Sequence, residues 1–342
     1  MKKKAIITGV TGQDGSYLAD LLLKKGFKVY GVVRRTSSDP FYRLKYLKIE
    51  KNVDFLSADL SEHQRITSHI NLIKPNFFFN LGAQSFVDYS YKSPMYTDIV
   101  NSMSVLNILE AIKNTSKKTK FYQASTSEMY GGYGSRKMIL NENSRFNPIS
   151  PYAIAKLSAY HYTKMYRKSY NIFASNGILF NHESPIRGEQ FVTKKIIKGL
   201  IEIIYGDKKD PVSLGNLYAT RDWGHAKDYV NVMYKIMNYK IADDFVVASK
   251  KNYSVKDFIN LTCKNLGIKI LWSGKGHKEI GKDSKGRTLI NINKKFFRPS
   301  DVNNLFGNPS KAIRKLKWKK KYDLNALIKD MILFEKKNIL ND

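Results

Sequence analysis

Ala5-Ile6-Ile7-Thr8-Gly9-Val10-Thr11-Gly12-Gln13-Asp14-Gly15 is the stretch from which the fold can be read. Its first four residues are short, apolar and β-rich, and read as a buried strand. Three glycines follow at Gly-x-x-Gly-x-x-Gly spacing, and Ser16 to Lys25 carries the spacing of an amphipathic helix. Gly26 reads as its stop, and Lys28-Val29-Tyr30-Gly31-Val32-Val33 as a second strand. Strand, glycine loop, helix and strand within ~30 residues make a βαβ unit. Such a loop suits a pyrophosphate. Glycines leave no Cβ in the path of the anion, and the helix N-terminus offers unpaired N–H groups.

Further apolar runs lie at 53–56, 77–81, 120–124 and 172–179, separated by helical stretches such as 102–113 and 152–170. This alternation predicts an α/β protein with a doubly wound parallel sheet of Rossmann type. After about residue 180 the rhythm weakens. A helix is expected at 254–266, a Gly/Lys-rich loop at 274–287 and a short basic helix at 309–316. The division expected is a dinucleotide-binding domain over 1–180, with segments around 220–260 packing back on it. A smaller mixed α/β substrate-binding part covers most of 181–342.

Composition narrows the function. One cysteine, Cys263, excludes a disulfide framework and a cysteine-rich metal site. Six histidines without paired spacing predict no metal. No apolar run reaches the ~18–20 residues of a membrane span, and Met1-Lys2-Lys3-Lys4 is not followed by a signal-peptide core. A cytoplasmic enzyme or binding protein is expected. The net charge of +30 raises nucleic acid or an anionic membrane as partners. It comes from 47 lysines and only 12 arginines, scattered rather than clustered, whereas phosphate readers lean on arginine forks. A solvated lysine surface is the expectation, with neither partner, although the charge attracts small anionic substrates.

The end of the second strand bears on the cofactor. An NAD-binding chain usually places Asp or Glu there for the ribose hydroxyls. This chain has Arg34-Arg35-Thr36-Ser37-Ser38, and a guanidinium suits the 2′-phosphate of NADP. Asp59-Leu60, after the third strand, is placed to hold the adenine.

Tyr152-Ala153-Ile154-Ala155-Lys156 puts a phenol and an ammonium one helical turn apart. The ammonium favours the phenolate, which can act as a base. The chain has four Tyr-x-x-x-Lys pairs, and chance alone gives about three, so context must select. Only Tyr152 opens a long helix after Ser150-Pro151 and follows a strand ending Ser125-Thr126-Ser127-Glu128, at the sheet edge where ligands bind.

With its glycine loop, strand-end Ser/Thr and Tyr-x-x-x-Lys helix, the chain resembles the extended short-chain dehydrogenase/reductase family. Longer blocks narrow the likeness: Asn80-Leu81-Gly82-Ala83-Gln84-Ser85, Gln123 to Gly131, Leu179 to Pro185, Arg221 to Tyr229, and Arg298-Pro299. In this order they look like the GDP-mannose 4,6-dehydratase family over nearly the whole chain. The resemblance implies a tightly bound, recycled NADP and a GDP-sugar substrate. Thr126 would bond the carbon-4 hydroxyl, Tyr152 with Lys156 would take its proton, and Glu128 would act at carbons 5 and 6. The product would be a GDP-4-keto-6-deoxy sugar. Cofactor contacts would come from Gly9, Thr11, Gly12, Gln13, Asp14, Gly15, Arg34, Arg35, Asp59 and Leu60. Leu81, Gly82, Ala83, Ser85, Lys156, His182 and Arg187 would complete them. Ser85, Asn181, Lys195, Gly215, Arg221, Arg298 and Asp301 would bind the substrate.

Glu128 discriminates within the fold: an epimerase or reductase needs no extra carboxylate, whereas a dehydratase needs a second base. On an extended segment it would face the same side as Thr126. Phe86, where histidine is common in the family, and Ile186, where a basic residue is common, depart from the pattern. The same chemistry would serve GDP-D-glycero-D-manno-heptose, which stands as the alternative sugar. Nucleotide-sugar epimerase or reductase activity is the alternative reaction. The resemblance also implies a homo-oligomer, dimer or tetramer.

Overall fold

A computed structural model of the chain describes residues 2–131, 138–297, 302 and 304–341. Lys4–Thr8 (β1), Lys28–Val33 (β2), Val53–Ser57 (β3), Phe77–Asn80 (β4), Lys120–Thr126 (β5), Ala174–Leu179 (β6) and Asp244–Val247 (β7) form one sheet. Its order is β7-β6-β5-β4-β1-β2-β3, with every neighbouring pair parallel. The strand order reverses between β1 and β4, so the carboxyl ends of the strands open a crevice there.

The helices that matter below are Gln13–Lys24 (α1), His63–Ile73 (α2), Ser104–Thr115 (α3), Pro151–Tyr170 (α4), Val192–Tyr205 (α5), Ala226–Met237 (α6), Val255–Asn265 (α7) and Leu324–Asn341 (α8). Phe77-Phe78-Phe79 shows why the sheet is covered on both faces. Side chains alternate along a strand, so Phe77 and Phe79 pack on one face with Leu18 of α1 and Met233 of α6. Phe78 packs on the other with Ile70 of α2, Ile108 of α3 and Ala159 of α4. All three rings are buried, each worth roughly 1.5–3 kcal/mol, and a continuous apolar run is what a doubly covered parallel strand requires. Ser150 caps α4, its Oγ accepting from the Ala153 N–H at 3.1 Å, with Pro151 in the first turn.

The expected strands and the helices containing Tyr152 and Val255 are present. Three expectations need correction. The 274–287 stretch is not simply a loop. It carries a short 3₁₀ turn and the strand Ile280–Lys282, which pairs antiparallel with Leu271–Ser273 and with Thr288–Ile292. Three-residue strands diluted by Gly and Lys are too short to show a period. The helix expected from residue 102 is preceded by a π-helical turn, Ile99–Met103, and by Pro94–Asp98. Beyond residue 180, α5, α6 and α8 are well formed. α5 and α8 share a second core with α7, built from residues such as Ile197, Leu200, Phe258, Leu327 and Met331. Among the described residues no helix is long and apolar enough to cross a membrane.

β7 joins the sheet through a buried polar cluster. Arg167 of α4 grips Asp244 with two N–H groups, at 2.9 and 2.8 Å, and Asn176 of β6 donates to the same carboxylate at 2.8 Å. Asp244→Ala leaves a largely buried guanidinium with only the Ala174 carbonyl as partner. The expected cost is about 3–5 kcal/mol in urea unfolding. A loss below about 1 kcal/mol would show that the cluster does not secure the strand.

Candidate active site

Gly9, directly after β1, has φ +67°, and a Cβ there would lie 2.9 Å from the Gly82 backbone. A Cβ on Gly15 would lie 2.1 Å from the Gly9 carbonyl oxygen. These two glycines therefore let the loop after β1, the loop after β4 and the start of α1 touch. Thr8 fastens the contact: its Oγ1 accepts from the N–H groups of Leu81 and Gly82 at 3.0 and 2.9 Å. It donates to Asn80 Oδ1 at 2.7 Å, and Asn80 donates to Gln123 Oε1 at 2.8 Å. This side-chain relay ties the ends of β1, β4 and β5. Sequence reading missed it, although buried Thr, Asn and Gln at strand ends are themselves a signal.

Above these strand ends lies a cavity of about 780 Å³. Gly9, Gly12, Gln13, Asp14, Gly15, Leu81, Ala83 and Ser85 line it, as do Thr126, Glu128, Tyr152 and Lys156. Asn181, His182, Arg187, Lys195, Gly215 and Arg221 complete the predicted residues found there. Six others do not line it. The Thr11 carbonyl accepts from Arg43, Gly82 is held against Gly9, and Leu60 packs on Gly82. Asp59 bonds Ser61, and Arg34 and Arg35 are exposed at the end of β2. Arg298 and Asp301 lie outside the described residues. Among the described residues no group of three or more His, Cys, Asp and Glu could hold a metal ion. Trp223 is buried against Phe258, 5.3 Å between ring centres, and also edges the cavity.

Glu128 reaches the cavity by a route other than the one expected. The chain does not stay extended after Thr126; Ser127–Tyr130 is a 3₁₀ turn. Thr126 caps that turn, its Oγ1 accepting from the Glu128 N–H at 3.2 Å. The Thr126 hydroxyl also acts on the Tyr152 phenol, drawing its pKa down. Threonine, carboxylate and phenol all open on the same cavity.

The resting electrostatics also differ from expectation. Burial pushes the Tyr152 phenol up to about 12, against the influence of the Thr126 hydroxyl, and the Glu128 charge pushes it the same way. Burial pushes Lys156 down to about 8. Its ammonium donates to the Ala124 carbonyl at 3.0 Å. Desolvation therefore outweighs the expected lowering of the phenol.

At the glycine-loop end, Asp14 accepts from His182 Nε2 at 2.7 Å, and the imidazole stacks on Tyr229 at 4.3 Å. Burial alone would lower His182, but the Asp14 carboxylate holds it above its ordinary value. Burial would likewise raise Asp14, but His182 draws it below the usual carboxylate range. Gln13 Nε2 donates to the His182 carbonyl at 3.2 Å. Elsewhere in the cavity wall, Asn181 Oδ1 is buried and has no hydrogen-bond partner among the described residues, as suits a site awaiting a donor. Arg221 is nearly buried, and the Lys195 ammonium lies 3.5 Å from the centre of the Phe296 ring. Phosphate-sized anions match such cations.

The family model for GDP-mannose 4,6 dehydratase matches residues 6–331. GDP-mannose 4,6-dehydratase of Vibrio cholerae is 44% identical over 351 residues, covering 97% of this chain and 94% of its own length. The Homo sapiens GDP-mannose 4,6 dehydratase is 42% identical over 337 residues, covering 96% and 90%. Among solved structures, UDP-glucuronic acid 4-epimerase of Bacillus cereus, in complex with UDP-glucuronic acid and NAD, has a TM-score of 0.81 at 22% identity, covering 98% of this chain and 99% of its own. dTDP-glucose 4,6-dehydratase of Bacillus anthracis, in complex with NAD, has a TM-score of 0.80 at 18% identity, covering 98% and 97%. The solved structures share the extended short-chain dehydrogenase/reductase fold. Identity above 40% along almost the full length goes further: the chain belongs to the GDP-mannose 4,6-dehydratase family.

Proposed function

We propose that this protein is an NADP-dependent GDP-sugar 4,6-dehydratase, acting on GDP-mannose in the cytoplasm and leaving GDP-4-keto-6-deoxymannose. The observation that carries the reading is the opening of Thr126, Glu128, Tyr152 and Lys156 on one cavity with the glycine loop, Asn181, Lys195 and Arg221. The names of the relatives support the substrate.

The glycine loop fits a pyrophosphate, since Gly12 lines the cavity and a Cβ there would meet only the Gly9 oxygen, at 3.1 Å. Arg34 and Arg35 would hold a 2′-phosphate, and Lys156 the nicotinamide ribose. The nicotinamide, when bound, supplies the acceptor for the carbon-4 hydride and the donor that returns it to carbon 6.

Thr126 orients the carbon-4 hydroxyl and Tyr152 takes its proton. Because the site is buried, the Lys156 ammonium stabilises the phenolate more strongly there than it would in water. The resulting 4-ketone acidifies the hydrogen on carbon 5. Glu128 removes that proton and delivers it to the departing carbon-6 hydroxyl, which leaves as water. When the hydride returns to carbon 6, Tyr152 gives its proton to carbon 5, and both groups regain their starting state. Lys195 and Arg221 hold the diphosphate and Asn181 the nucleotide end. Arg298 and Asp301 belong to this reading through the family resemblance alone.

Lys156 is held at a cost to stability, being buried with desolvation the cause of its shift. A buried, desolvated ammonium opening on this cavity is the kind of perturbed group that active sites carry.

Four outcomes are expected. With GDP-mannose and GDP-manno-heptose offered in parallel, mass spectrometry will show loss of one water without net change in NADPH. Unchanged mass would mean epimerisation, lasting NADPH gain would mean plain oxidation, and preference for the heptose would reassign the sugar. In Glu128→Gln, turnover should fall by about 10²–10⁴ while a single burst of NADPH absorbance survives. Turnover within a few-fold of the parent excludes the role given to Glu128.

Replacing Arg34 and Arg35 by alanine should weaken NADP binding about tenfold or more and spare NAD, read by fluorescence titration of the reduced cofactors. An equal effect on both cofactors would remove these arginines from phosphate recognition.

Lys156→Met should raise stability at pH 7 by about 1–3 kcal/mol in urea unfolding and abolish turnover. The folded-state value, about 8, lies below the ordinary 10.5, so the unfolded chain binds more protons between them. Wild-type stability therefore rises with pH across that window, and the advantage of the variant shrinks there. A gap constant from pH 7 to 10.5 counts against a buried charge.

A further inference from the structure

Residues 184–187 lie beside the glycine loop, and side chains from elsewhere hold the first three. Ser184 Oγ donates to Gln13 Oε1 at 2.7 Å. The Pro185 carbonyl accepts from Lys194 Nζ at 2.6 Å. Lys194 also meets Glu335 of α8, and this ion pair is buried. The Ile186 carbonyl accepts from Arg43 Nε at 2.8 Å. Arg187 Nε lies 2.9 Å from the Glu183 carboxylate.

Arg43 differs from the other anchors. Its second donor, a terminal guanidinium N–H, reaches the Thr11 carbonyl inside the glycine loop at 3.0 Å. One planar group therefore bridges two loops that are remote in sequence, using two carbonyls that belong to no helix or strand. The arginine is itself fixed. Its guanidinium carbon lies 4.3 Å from the Tyr42 ring centre, and its short helix, Tyr42–Tyr46, is rooted in the core by Leu44. Gly12 follows Thr11 and Arg187 follows Ile186, and both line the cavity. A dinucleotide on the glycine loop would lie between those walls.

We propose that Arg43 is a positioning residue that latches the glycine loop to segment 184–187 and so retains the nicotinamide dinucleotide between the oxidation and reduction halves of the cycle. This inference rests on the functional reading above, in which the cofactor is recycled without leaving. Sequence gives no hint of it, because an arginine in a polar stretch reads as surface charge.

The test is the release rate of NADPH from the holoenzyme, followed by fluorescence after mixing with excess NADP, for wild type, Arg43→Met and Arg43→Lys. Arg43→Met should release NADPH about tenfold faster or more. Arg43→Lys, whose ammonium cannot fork to both carbonyls, should fall between. Amide hydrogen exchange at 11–13 and 184–187 should rise in the same order. Wild-type retention with release and exchange unchanged in both variants overturns the latch alone. A wild-type protein that retains no nicotinamide dinucleotide overturns the functional reading, and this inference with it. Should Arg43→Met fail to fold, Arg43→Lys decides, and release at the wild-type rate overturns the proposal.

Discussion

The hydroxyl of Thr8 is the interaction on which this architecture turns. It accepts two backbone N–H groups from the loop after β4 and donates to Asn80, which donates to Gln123. Parallel strands end on one edge, but nothing in the sheet ladder fixes how the loops leave that edge. The relay fixes it with buried hydrogen bonds, and each costs more to break than it contributes, because an orphaned group would stay desolvated. Only with those loops in place can Gly9 approach Gly82 as closely as it does. The shape of the cavity floor follows.

A second constraint is the balance between burial and charge. The cavity concentrates groups that water would rather solvate: a phenol beside a carboxylate, an ammonium on a lone carbonyl, and a histidine that the facing Asp14 holds above its ordinary value. Burial moves the phenol and the ammonium away from easy ionisation. It also strengthens every later interaction with a bound anion.

Legibility in the sequence followed length and locality. The glycine loop, β1, β2 and the helix of Tyr152 were readable because each is a local pattern of ten residues or so with its own stop signals. Tyr152 could be singled out among four Tyr-x-x-x-Lys candidates only by its strand and cap context. Helical spacing put Tyr152 and Lys156 one turn apart on α4, but the burial that raises the phenol leaves no mark in that spacing. Asp244–Val247 and the strands around 271–282 escaped, being three or four residues long and made by partners far along the chain. Arg43, Thr8 and Asn101 escaped for a related reason. Asn101, in the π-helical turn, exchanges two hydrogen bonds with the Gln84 backbone. None of these pairings leaves a mark in one-dimensional spacing.

The late arrival of β7 bears on how the protein is made. The outer strand beside β6 is supplied from beyond residue 240, and Arg167 and Asn176 wait for its carboxylate until then. On the ribosome, the first six strands emerge with an open apolar margin and an unneutralised guanidinium inside it. About seventy more codons must be read before the margin is sealed. During synthesis this nascent edge is the place where a chaperone has most to protect, and where a stalled or truncated chain is most prone to stick to its neighbours.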